Sequence, residues 1–244
     1  MSPSIPTAAA PPPLPSGPLR VEALACRRGE RLLFSGLALE VGPGEVWWLR
    51  GANGRGKTSL LRLLTGLSSP AGGHVTWQGQ PIRAAGAGYR ERLVYIAHAN
   101  ALKEDLTVAE SLQFLARIHG RPADEPALGA ALERLGIASR RAAPVRTLSQ
   151  GQRRRVALAR LALDLMHDAG QGSLWVLDEP YDALDADGIT ALNGLLSAQA
   201  ARGGSVVLTS HLPLSLDDPA PRVLQLDAHA ATGRRKTADA GRSA

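Results

Sequence analysis

The chain holds one cysteine, two methionines and two phenylalanines, very little lysine, and no long apolar run. Each scarcity removes a class of explanation. With Cys26 alone, an internal disulfide framework and a cysteine-built zinc site are both excluded, and the residue reads as a small buried apolar side chain without chemistry. No stretch approaches the roughly 18 apolar residues that cross a bilayer. The opening MSPSIPTAAAPPPLPSGPLR lacks a basic segment followed by an apolar core, so a cytosolic chain is expected. The net charge of +6 comes almost wholly from arginine, clustered at Arg153 to Arg155 and in GRRK near the end. No aromatic residues interleave with those clusters, which argues against a nucleic-acid partner and for a solvated basic face, or one apposed to anionic lipid headgroups. No internal repeat is visible.

What the chain does have is concentrated in GANGRGKTS. Gly51, Gly56, Lys57 and Thr58 fill every specified position of the phosphate-cradling pattern G-x-x-x-x-G-K-[ST], and Val46 to Leu49 before them read as a buried strand. Glycines let the backbone turn so that successive N–H groups of Gly51, Ala52, Asn53, Gly54, Arg55, Gly56, Lys57, Thr58 and Ser59 can aim at phosphate oxygens. The helix starting near Lys57 adds the positive end of its dipole. Lys57 would neutralise the β- and γ-phosphates, and the Thr58 hydroxyl would ligate Mg²⁺. The loop is expected to hold a nucleoside triphosphate.

Residues 1–18 read as a disordered or polyproline tail, 19–227 as the folded unit, and 228–244 as a flexible basic tail. LRVEALAC, LLF and LALEV look like short strands separated by turns, KTSLLRLLTGL like a helix that Gly66 helps to end, HVTWQGQPI like two strands around Gln78-Gly79, and RLVYIA like another strand. From about Leu106 to Gly170 the chain looks helical, with Val156, Ala159, Leu163 and Met166 as an apolar stripe on the last helix. Strands return with SLWVLD, SVVLTS and PRVLQLD, separated by the helical ADGITALNGLLSAQAARG. Such alternation implies an α/β fold: a mainly parallel sheet covered by helices on both faces, an N-terminal antiparallel β subdomain, and an inserted helical subdomain at about 99–170.

The second half has to decide among kinase, GTPase, motor and pump. LWVLDEP is a strand that delivers Asp178 and Glu179 at its C-terminal edge, which in a parallel sheet is the edge where ligands sit. Asp178 would orient Mg²⁺, and Glu179 can polarise the attacking water. VVLTSH places His211 at the tip of a further strand, where an imidazole could hydrogen-bond the γ-phosphate. In LSQGQRRRVALAR, Ser149 and Gln152 form a capping box at a helix start, yet capping requires neither Gly151 nor the leucine before the serine.

At this stretch the chain resembles the ATP-binding cassette family, whose signature is usually LSGGQ. The resemblance covers Leu19 to Asp227, with its motifs in the family's order at 51–58, 148–152, 174–179, Ala183-Leu184-Asp185 and His211. It implies an ATP hydrolase of P-loop fold that uses ATP and Mg²⁺ and pairs head to tail with a second copy. Ser149, Gly151 and Gln152 of one chain would then meet the nucleotide held by the loop of the other. Where the family usually stacks an aromatic residue on adenine, this chain offers CRRGER, so Arg27 or Arg28 is the candidate guanidinium plane. His98 stands where the family sets a glutamine near Mg²⁺ and the membrane partner, and Gln150 replaces a signature glycine.

ERLLFSGLALEV, VTWQGQPI, His98 and LDEPYDALDADG together resemble the ATPase subunits of the haem exporters of cytochrome c maturation. That resemblance implies a peripheral protein on the cytoplasmic face of the inner membrane, coupling ATP hydrolysis to haem transfer and release through integral membrane subunits. No His or Cys pair at ligand spacing assigns haem to this chain itself. An exporter ATPase for another substrate is the alternative. Cassette proteins that act on DNA or ribosomes would need a long coiled coil or two cassettes, neither of which 244 residues display.

Overall fold

The computed structural model describes residues 19–167, 172–216 and 218–230. The proline- and alanine-rich start and the basic tail beyond 230 lie outside them.

Two sheets organise the chain. β1 (Leu19–Arg28), β2 (Arg31–Val41), β4 (Gly72–Trp77) and β5 (Gln80–Pro81) form an antiparallel sheet in the order β2-β1-β4-β5. β6 (Leu93–Ile96), β7 (Leu174–Leu177), β8 (Ser205–Thr209), β3 (Val46–Arg50) and β9 (Arg222–Gln225) form the second, in the order β6-β7-β8-β3-β9 with every pairing parallel. The expected fold class, with its antiparallel N-terminal part, is therefore what the chain adopts. The parallel strands must be buried on both faces, and β7 and β8 have no exposed residue.

Local chemistry explains most elements. LLF and LALEV, expected as separate strands, are one continuous β2, because Gly36 takes φ +66° and absorbs an extra residue opposite β1 as a bulge. The β4–β5 turn needs two positive-φ residues, supplied by Gln78 at 52° and Gly79 at 76°. Helix α1 (Lys57–Leu64) follows the loop after β3, and α2 (Ile82–Glu91), which the pair Gly86 and Gly88 conceals in the sequence, bends at Gly86. Thr107 and Glu110 close a reciprocal capping box on α3 (Val108–Ile118), and Asp124 caps α4 (Glu125–Arg134).

Helix α5 (Gln150–Met166) is the hub. The expected stripe is narrower than what is buried: 156–159 and 161–164 are all inside, whereas Met166 is exposed. α5 packs against α3, α4, β6 and α6 (Ala186–Ala201), which wets little of its circumference. Cys26 is buried as expected, and burial raises its thiol pKa against an opposing hydrogen bond with Ser59.

At the far end of α5 a carboxylate sits in the core. Asp164, 2% exposed, accepts hydrogen bonds from Arg121 Nε (2.7 Å), Arg202 Nη2 (2.6 Å), Ser173 Oγ (2.5 Å) and Trp175 Nε1 (2.7 Å). These partners join the end of the helical segment to β7 and to the end of α6. Removing one member of such a buried pair leaves an uncompensated charge, which costs about 3–5 kcal/mol. Asp164→Ala is therefore expected to lower the melting temperature by roughly 6–20 °C. An unchanged melting curve would contradict that account of the network.

Candidate active site

The carboxyl ends of β3, β7 and β8 meet on one side of the parallel sheet, and the loop after β3 closes over them. A cavity of about 510 Å³ is lined there by Asn53, Gly54, Gly56, Lys57, Thr58 and Ser59 from the loop and α1, by Asp178 and Glu179 after β7, by His98 after β6, by His211 after β8, and by Arg28, Arg31 and Leu33 from the antiparallel sheet. Residues read from five separate stretches of sequence thus share one chamber. Arg28 lines it and Arg27 does not; Arg31, opposite Arg28 in the β1–β2 register, was not foreseen.

The loop's shape has visible causes. Gly56 adopts φ +103°, a conformation that favours glycine, and a Cβ there would also crowd Leu33 and Phe34 at 3.2–3.3 Å. Lys57 Nζ donates to the Gly51 carbonyl at 2.8 Å, across the loop. Asp227 braces the same loop from outside, accepting from the Ala52 N–H at 3.1 Å and pairing with Arg55 at 3.2 Å. Trp47 and Trp48 are half-buried and give their indole N–H groups to Glu45 and to the Ser210 carbonyl.

The carboxylate edge is held with equal care. The Asp178 N–H donates to Ile96 O at 2.9 Å, the Glu179 N–H to Thr209 Oγ1 at 2.8 Å, and Thr209 Oγ1 passes its own proton toward Asp178 Oδ1 at 2.9 Å. Thr209 is fully buried, and only the fold reveals it as the strut between β8 and β7. Asp178 Oδ2 is buried without a hydrogen-bond partner among the described residues, an acceptor that suits a cation or its water shell. Glu179 takes a left-handed φ of 48°, a conformation that costs a non-glycine residue about 1–2 kcal/mol. That turn sends its carboxylate to His211, whose N–H donates to Oε2 at 2.9 Å and whose Nε2 lies 3.5 Å from Oε1. His98, mostly exposed, stands 3.6 Å from Asp182.

The structure does not bring Ser149, Gly151 and Gln152 to this cavity. Ser149 is exposed at the N-cap of α5, where it and Gln152 form the expected capping box at 3.0 and 3.2 Å. Gly151 has a cause that sequence reasoning missed: a Cβ there would fall 2.5 Å from the Ala183 carbonyl, so the two backbones can meet only at glycine.

One expectation fails here. Arg153 to Arg155 are not a solvated basic face. Arg154 is 2% exposed, Arg155 bonds Leu135 O and Asp185, and Arg153 bonds Val145 O, Arg146 O and Glu104. All three are tied to carbonyls and acids that the helix termini and loops leave unpaired, a need invisible in a basic run.

Comparison with known proteins agrees with this geometry. The ABC transporter family profile matches residues 34–182. The chain is 45% identical over 202 residues to the cytochrome c biogenesis ATP-binding export protein CcmA of Nitrosomonas europaea, covering 83% of this chain and 92% of that one. It is 47% identical to the protein of the same name from Aromatoleum aromaticum, covering 85% and 94%, and 42% identical to that of Escherichia coli O157:H7, covering 86% and 97%. Among solved structures, an ATP-binding protein of a putative ABC transporter from Pyrococcus furiosus superposes with a TM-score of 0.73 at 23% identity, over 88% of this chain and all of that one. The ATP-binding subunit of another ABC transporter aligns with a TM-score of 0.69 at 26% identity, over 80% and 79%. A phosphate loop, a carboxylate edge and a signature helix in these positions, together with those likenesses, place the chain in the ABC transporter family as an ATP-binding, ATP-hydrolysing protein, among the cytochrome c biogenesis ATP-binding export proteins.

Proposed function

We propose that this chain is the ATPase subunit of an inner-membrane haem exporter used in c-type cytochrome biogenesis, working as a pair of copies on the cytoplasmic face beneath integral membrane subunits. The observation that carries the reading is the 45–47% identity, across most of both chains, to proteins named for cytochrome c biogenesis and export. No helix among the described residues is long and apolar enough to cross a membrane, which fits attachment through partners.

Within the site, the backbone of residues 51–59 and Lys57 hold the triphosphate, and Arg28 offers its guanidinium plane to adenine. Thr58 and Asp178 would hold Mg²⁺, with His98 lining the same cavity, and the orphaned Asp178 Oδ2 supports that assignment. When bound, Mg²⁺ neutralises charge on the phosphate oxygens. Glu179 polarises a water in line with the γ-phosphorus. As that water's oxygen forms its bond to phosphorus, the bond to the β-phosphate oxygen breaks, yielding ADP and phosphate. His211 orients Glu179 through its N–H and reaches the γ-phosphate with its ring. Ser149, Gly151 and Gln152 serve the nucleotide of the second copy. Haem is handled by the membrane partners.

The test is purification of the tagged chain from solubilised membranes of its host, beside a host carrying Glu179→Gln in its place. An integral membrane subunit is expected to accompany the chain, and c-type cytochromes are expected to fall to background with Glu179→Gln. Normal c-type cytochromes in that strain would overturn the assignment.

A further inference from the structure

One guanidinium sits beneath the whole site. Arg154, in the second turn of α5 and 2% exposed, uses its entire fork: Nε donates to Pro180 O at 3.2 Å, Nη1 to Ala97 O at 3.0 Å and Asn100 Oδ1 at 3.1 Å, and Nη2 to Asp178 O at 2.8 Å and Glu179 O at 2.5 Å. Three acceptors are the consecutive carbonyls of the carboxylate edge, and the other two flank His98. Arg154 does not line the cavity. It fixes main chain, including the carbonyl of Glu179 in its left-handed conformation.

The chemistry suits this use. A planar fork of five N–H donors at fixed angles can set the separation of two loops, whereas an ammonium or a carboxamide satisfies fewer acceptors and sets no such geometry. Burial lowers the pKa of Arg154, while the carboxylates of Asp182, Asp178 and Glu179 oppose that shift. Arg154 also lies on the helix whose first cap is Ser149, so the segment meant to meet a second nucleotide is rigidly joined to this chain's own carboxylate edge.

We propose that Arg154 is a positioning residue for hydrolysis: it holds the Asp178–Pro180 edge and the His98 loop in one geometry and links both to the signature helix. The proposal rests on the reading of Glu179 as the group that polarises water. A displacement of about 1 Å at a reacting centre can cost roughly 10²-fold in rate, whereas the phosphate loop, which binds most of the nucleotide, does not touch Arg154.

The experiment compares kcat, the equilibrium ATP Kd and the melting temperature of the full-length chain purified from membranes, as Arg154→Gln, Arg154→Lys and Asn100→Ala. Arg154→Gln is expected to lower kcat by about 10²-fold while Kd changes less than about threefold, with Arg154→Lys intermediate. Asn100→Ala keeps the guanidinium and removes one acceptor beside His98; it is expected to lower kcat by roughly three- to tenfold at an unchanged melting temperature. Should Arg154→Gln not fold, the other two variants decide. Loss of kcat only in proportion to unfolded protein, or wild-type kcat in both Arg154→Lys and Asn100→Ala, would overturn the proposal. Glu179→Gln runs as the control: if it turns over normally, the reading of the site is at fault, and if it is inactive beside wild-type-like Arg154 variants, only the role of Arg154 is lost.

Discussion

Glu179→Gln is expected to bind MgATP with near wild-type affinity and to hydrolyse it at least about 10²-fold more slowly, equivalent to roughly 2.7 kcal/mol of transition-state stabilisation. The carboxamide has nearly the same shape and keeps an oxygen that can accept from the His211 N–H, so the 2.9 Å contact and the turn of the chain at residue 179 survive. What disappears is the negative charge proposed to draw a proton from water. Lys57→Ala acts on the other side of the cavity. It removes the ammonium aimed across the loop, now held by the Gly51 carbonyl at 2.8 Å, and with it the charge that compensates the phosphates. Binding and turnover should both be lost. Phosphate release and equilibrium binding of a fluorescent ATP analogue separate the two behaviours, and equal turnover in wild type and Glu179→Gln would remove Glu179 from its role.

Much of this site could be read before any fold was known, because its chemistry is local. Gly51 to Thr58 are contiguous, and a strand that ends in two acids carries its own address in a parallel sheet. The fold class followed from the same alternation of strand and helix. The parts that escaped are those whose cause lies elsewhere in the chain. The packing reason for Gly151 is invisible until the Ala183 carbonyl arrives against it from a later stretch of the chain. Thr209 is an ordinary strand threonine until β8 pairs with β7 and places its hydroxyl between Asp178 and Glu179. Arg154 was read as one of three solvated cations because composition favours that reading for a basic run, and only tertiary structure supplies its five acceptors. Likewise α2 is hidden by its two glycines: Gly86 breaks the helix with non-helical dihedrals, and the following turn is held by Tyr89, which packs on Trp77 with its hydroxyl bonded to Leu64 O at 2.6 Å.

The central claim is that each chain carries half of two sites. The proposed phosphate-holding half is the cavity lined by residues of the 51–59 loop, while Ser149 and Gly151, at the start of a 17-residue helix, do not line it. A helix N-terminus with a hydroxyl and a glycine suits an anion, and the chain's own nucleotide cavity is not lined by it. In the proposed pair a second copy turned head to tail would satisfy both halves, with ATP as the main adhesive, so that binding would favour the pair and hydrolysis would dissolve it. Glu179→Gln, which keeps ATP intact, isolates the binding step, and Ser149→Arg places bulk and charge at the surface where the pair should close. The decisive measurement is the molar mass of Glu179→Gln in solution by light scattering, at up to tens of micromolar protein, with and without MgATP. The account expects a monomer that becomes a dimer when ATP is added, and no such change when Ser149→Arg is combined with Glu179→Gln. A Glu179→Gln chain that binds ATP yet keeps its monomer mass would contradict it.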